Sequence, residues 1–87
     1  MQKDNNMNWQ DYIHSDPNVL VGKPTIKGTR LSVEFLLDRL ADGWSEEMLL
    51  ENYPRLSKEA LQAIFLFLRE CISDQLIFIR EPLKKAS

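Results

Sequence analysis

The chain has 87 residues, room for one domain, and its 44% hydrophobic and 28% charged content excludes a disordered polymer. A net charge of −2 gives no global attraction to nucleic acid or to acidic membranes, so any nucleic-acid contact has to come from a local patch. The lone cysteine, Cys71, and the lone histidine, His14, exclude an internal disulfide and an ordinary zinc cluster. A chain of this size buries only roughly 60% of its unfolded surface. With no disulfide or metal to add, a partner subunit is the expected source of further burial, and a homodimer is expected.

In chain order, residues 1–12 read as a flexible polar segment with Trp9 as its anchor onto the body. This segment lacks the apolar stretch of a signal peptide, and no apolar run approaches the ~20 residues of a membrane span. A cytoplasmic protein without membrane contact is the expectation. Asn18-Val19-Leu20-Val21 reads as a short strand, Gly22-Lys23-Pro24 as a turn and Thr25-Ile26-Lys27 as a second strand closed by Gly28. Residues 19–31 are therefore expected to form a small hairpin or pair of strands. Two strands alone are barely stable, so they must lie on helices or pair with another chain.

Ser32 is an N-cap for a helix whose apolar stripe is Val33, Leu36, Leu37, Leu40 and Ala41, stopped at Gly43. Ser45 caps a second helix, with Glu46 and Glu47 in its first turn and Met48, Leu49, Leu50 and Tyr53 as its apolar side. Pro54 ends it after about two turns. Ser57 caps a third and longest helix, with Leu56 placed to staple onto Leu61. Its expected core face is Leu61, Ile64, Phe65, Leu68 and Ile72, while Ala60, Ala63, Leu66, Phe67 and Cys71 carry apolar surface outside that face. Gln75 to Arg80 is open to either strand or helix extension, and Pro82 ends it.

Residues Gly22 to Arg30, the first helix, Asp42-Gly43-Trp44-Ser45 and Glu51 to Ser57 together resemble the bacterial domain of unknown function numbered 433, DUF433. The likeness spans residues 13–72, leaving 73–87 as a C-terminal tail. It implies a mainly α fold: a three-helix, helix-turn-helix-like domain, related to winged helices, with a short N-terminal β hairpin. Some members of the family are regarded as VapB-type antitoxins encoded beside toxins with a PIN-like nuclease domain. The function implied is that of a type II antitoxin, binding a PIN-like toxin and operator DNA as an autorepressor. The alternative is a non-enzymatic dimeric interaction module without DNA binding.

The residues supply candidates for each role. Lys23, Lys27 and Arg30 form an acid-free basic segment that suits a phosphate-contacting loop. Two bland readings stand beside it: solvated lysines on an obligatory turn, and an Arg30 paired with Glu34 or Asp38. If the third helix reads bases, Lys58, Glu59 and Gln62 at its start do so, with Arg55 beside them. Glu59 and Glu70 oppose a polyanion, and the run Ala-Ile-Phe-Leu-Phe-Leu is too apolar for a helix standing free in a groove. The residues favour instead a helix that is core and dimer seam together, the seam drawn from Phe65, Leu66, Phe67 and Cys71. In the tail, Leu76, Ile77, Phe78 and Ile79 suit a toxin contact or a strand on the chain itself or a second subunit. Asp11, His14 and Asp16 match no ligand spacing, and Asp16-Pro17 reads as a turn. No nucleophile–base–orienter set can be assembled, so a non-enzymatic protein without cofactor is expected.

Overall fold

The computed structural model describes residues 7–74. Among them, two short strands form an antiparallel pair and three α-helices follow. The helices are α1 (Val33–Ala41), α2 (Glu46–Asn52) and α3 (Lys58–Ser73). Each starts by the same device. The hydroxyls of Ser32, Ser45 and Ser57 accept from the backbone N–H three residues on, at Phe35, Met48 and Ala60, satisfying one otherwise orphaned donor each.

The stops are equally local. Past the end of α1, Gly43 takes φ +98°, its N–H donates to Leu40 and the Trp44 N–H reaches back to Arg39. This is the paired-bond arrangement of a Schellman cap, which an L side chain at that φ would strain. Helix α2 ends at Tyr53, next to Pro54, as expected.

The N-terminal third departs from the expected layout. The strand partner of β2 (Thr25–Ile26) is β1 (Ile13–His14), in the register Ile13↔Ile26 and His14↔Thr25. Asn18–Val21 is not a strand. Asp16–Val19 is a turn, closed by the Val19 N–H on the Asp16 carbonyl and by the Asn18 N–H on Asp16 Oδ1. Then Leu20–Gly22 winds as a 3-10 turn through positive φ, with Leu20 at 52° and Val21 at 56°. A β-branched residue in the left-handed region is a genuine outlier, so this stretch is held against its own preference.

The predicted second strand is present, and it also folds back on the entry to α1. Ile26 N–H donates to Leu31, Val33 N–H donates to Pro24, and Thr25 bridges Ser32. The turn between them places Gly28 at φ +79° and is clamped by Thr29, whose hydroxyl donates to Ile26 and accepts from Leu31.

The core joins both parts. Ile13 and Ile26 from the strands are buried in one cluster with Val33, Leu36, Leu49, Leu56, Ala60, Leu61, Ala63 and Ile64. The α3 face is turned relative to expectation. Ala60 and Ala63 are in the core, whereas Phe65 is 48% and Ile72 58% exposed. The cause lies at the other end of the chain. A 3-10 turn at Trp9–Asp11 packs on α3 together with β1. The Trp9 ring meets Phe67 edge-on at 4.8 Å, and its Nε1 donates to Glu70 Oε1 at 3.0 Å. Trp9 thus acts as the expected anchor, and it draws the Ala60–Ala63–Phe67 side of α3 inward. The stretch Gln75 to Arg80 lies outside the described residues.

Candidate functional site

The six residues proposed to touch nucleic acid have different surroundings in the structure. Lys23 is taken up by Glu34, with Nζ 2.8 Å from Oε1. The hydrogen bond and charge of Lys23 hold the Glu34 carboxyl below its ordinary value, and the same contact raises Lys23 above its own. Glu34 therefore pairs with Lys23, not with Arg30. Arg55 is also engaged, its Nη1 donating to the Gly28 carbonyl at 2.8 Å. That bond braces the β2–α1 loop against the turn between α2 and α3.

Lys58 and Gln62 border an open hollow of about 400 Å³ whose remaining walls are Glu46, Glu59 and Phe65. Two carboxylates there oppose a phosphate backbone. Lys27 and Arg30 are exposed, and Arg30 makes no hydrogen bond or ion pair among the described residues. The structure brings Arg30 and Arg55 together at a second cleft, of about 240 Å³, lined by Thr29, Arg30, Leu31 and residues Asn52 to Arg55. This cleft joins segments more than twenty positions apart, and sequence reading did not pair them.

The proposed dimer seam is likewise divided. Phe65 is exposed, Leu66 and Cys71 are half-buried, and Phe67 is covered by Trp9. Phe65, Leu68 and Ile72, at i, i+3 and i+7, leave an apolar stripe along one side of α3, its two ends exposed. The toxin-contact candidates Leu76, Ile77, Phe78 and Ile79 lie outside the described residues.

One cluster was missed altogether. The Arg39 guanidinium lies 4.9 Å from the Phe35 ring centroid and 5.5 Å from that of Trp44. Tyr53 meets Phe35 edge-on at 5.6 Å and stacks near Trp44 at 6.3 Å. Arg39 Nε is buried and finds no acceptor among the described residues, and the aromatic faces lie beside its guanidinium. The i, i+4 spacing of Phe35 and Arg39 was the available signal; the approach of Trp44 and Tyr53 needed the fold.

Among the described residues, no group of three or more His, Cys, Asp or Glu side chains is placed to hold a metal ion. No described helix is long and apolar enough to cross a membrane. The architecture is that of a small, mostly helical domain fronted by a two-stranded ribbon, and its features are surfaces and shallow clefts. From residue 13 to 67 the sequence matches the family model described as a protein of unknown function (DUF433), and the chain belongs to that family. It is also similar to the crystal structure of a DUF433 member protein from Anabaena variabilis ATCC 29413, with 31% identity and a TM-score of 0.67. That match covers 75% of this chain and 64% of the Anabaena variabilis one, so the likeness spans just under two thirds of that relative. No curated protein matches the chain.

Proposed function

We propose that this domain is a non-enzymatic interaction module that works as a homodimer joined along α3. The observation that carries the reading is the apolar stripe with Phe65 48% and Ile72 58% exposed. Two large apolar side chains aligned on one helix face are costly in water and suit the centre of a subunit contact. A chain this small also gains from a partner's burial. Equilibrium sedimentation tests it. The wild-type chain is expected to be dimeric, and the double variant Phe65→Asp with Ile72→Asp monomeric and still helical. A wild-type monomer at about 100 μM, where even weak specific dimers form, overturns the proposal.

A second reading, antitoxin of a type II pair, draws on the family resemblance and on the exposed cations Lys27, Arg30 and Lys58. In it, α2, the turn and α3 act as a helix-turn-helix unit that holds operator DNA, and another surface holds a PIN-like toxin. The engagement of Lys23 and Arg55 and the carboxylates around Lys58 weigh against the DNA half. Electrophoretic shift of the DNA upstream of its own gene at low salt tests that half. A shift lost on charge reversal of Lys27 and Arg30 supports it, and no shift discards it. Relief of a neighbouring gene's toxicity on co-expression tests the other half.

A further inference from the structure

We propose that the cleft between the β2–α1 loop and the α2–α3 turn is a docking site for a short acidic peptide segment of a partner protein. An apolar side chain sits between Leu31, Tyr53 and Pro54, and a neighbouring carboxylate is held by Arg30. The site stands apart from the dimer contact, since no residue of α3 lines it.

Shape and charge point the same way. At about 240 Å³ the cleft falls below the ~300–1,000 Å³ of ordinary small-molecule sites, which matches one anchoring side chain better than a whole cofactor. Its apolar wall is Leu31, Tyr53 and Pro54, and both of its charged lining residues are arginines. Arg55 is held in place by the Gly28 carbonyl, which fixes the rim and leaves a guanidinium edge beside it. Arg30 is exposed and uncommitted among the described residues, so its planar fork is available for a carboxylate. The bond from Arg55 to Gly28 also ties the two walls together, so the cleft is preformed and binding orders little of the protein.

A peptide fits better than a nucleic-acid strand. A strand presents a phosphate at every nucleotide and needs a cationic track. Of the neighbouring cations, Lys23 is paired with Glu34 and Lys58 shares a hollow with Glu46 and Glu59, which leaves an exposed Lys27, too few charges for such a track.

The probe is the blocked peptide Glu-Glu-Leu-Glu-Glu, titrated into the whole isotopically labelled chain and read by amide chemical shifts. Controls are Gln-Gln-Leu-Gln-Gln, Glu-Glu-Gly-Glu-Glu and a hexamer of thymidylate. Saturable shifts are expected at Thr29, Arg30, Leu31, Asn52 and Tyr53, with affinity roughly ten-fold weaker for each peptide control and for Arg30→Gln. Because Arg30 makes no internal bond among the described residues, the variant's remaining spectrum should superimpose on the wild type. Arg30→Lys should recover part of the loss. The proposal is overturned by absence of cleft shifts at about 1 mM peptide, by equal binding of the uncharged peptide, or by tighter binding of thymidylate at the same amides. The state of the α3 contact is read separately by sedimentation, so failure of one assignment leaves the other standing or falling on its own result.

Discussion

Residues 33–73 and residues 7–32 build their structure by opposite means. In the helical part the elements carry their own instructions: a serine three positions before the N–H it caps and an apolar stripe for each, and a glycine or proline at the stop of α1 and α2. In the N-terminal part no element exceeds three residues, and two consecutive non-glycine residues, Leu20 and Val21, sit at positive φ. Such segments have no cooperative local structure to form by themselves. Their order comes from Ile13 and Ile26 entering the core and from Trp9 lying on α3. The lesson is that the helices are specified locally and the ribbon is specified by what it lands on.

Substitutions can break that contrast, starting with the largest effect. Ile64 is fully buried where the two parts meet, so Ile64→Ala should destabilise the domain by about 3–4 kcal/mol, read from urea unfolding at fixed protein concentration. Trp9→Ala removes the ring on Phe67 and the bond to Glu70, with an expected loss of about 2–3 kcal/mol. Losses under about 0.5 kcal/mol, the range of ordinary surface positions, would show that the N-terminal turn is an ornament on α3. Ser57→Ala should cost about 1 kcal/mol through loss of the cap on Ala60, the scale of a purely local signal.

Val21 offers a change of opposite sign. The residue is 91% exposed and its φ is 56°, so Val21→Gly gives up little burial and relieves backbone strain. Stability should rise by about 0.5–1 kcal/mol; a fall would mean that Val21 makes a contact in the folded protein that outweighs the strain.

The smallest effect is electrostatic. Glu34's contribution through Lys23 is complete above its ordinary pKa of 4.5 and is lost as pH falls through the lowered folded value. Lys23's contribution is complete below 10.5 and is lost as pH rises through its raised folded value. Both groups are solvent-exposed, so screening keeps the gain small. In acid titrations monitored by circular dichroism, Glu34→Gln should flatten the stability loss below pH 4.5. Superimposable acid limbs for the two chains would show that the pair contributes nothing.

What was legible in the sequence follows from the same contrast. Helix starts at Ser32, Ser45 and Ser57, the stop at Gly43 and the break at Pro54 were all readable, since each rests on neighbours within five positions, and the strand at Thr25–Ile26 was readable from its composition, though not its partner. The strand expected at Asn18–Val21 was misplaced because β-branched composition measures how a segment suits a pleated surface, not whether a partner reaches it. The partner of β2 is Ile13–His14. On α3, periodicity correctly gave a helix with an apolar side. It placed Leu61 and Ile64 correctly in the core but misjudged the rotation, because Phe65 is as hydrophobic as Phe67 and only the arrival of Trp9 on Phe67 distinguishes them.

The candidate sites divide in the same way. Sequence marked Lys23, Lys27, Arg30 and Arg55 as basic, which is a property of side chains. Only the tertiary structure committed Lys23 to Glu34 and Arg55 to Gly28, set Arg30 beside Arg55 at one cleft and enclosed Arg39 among Phe35, Trp44 and Tyr53. By itself, then, the sequence determined the family, the three helices and their caps, whose energetics close within a turn or two of chain. The tertiary structure decided which apolar face is buried and which charges remain free, because those outcomes depend on contacts between residues 11 to 61 positions apart that no local pattern encodes.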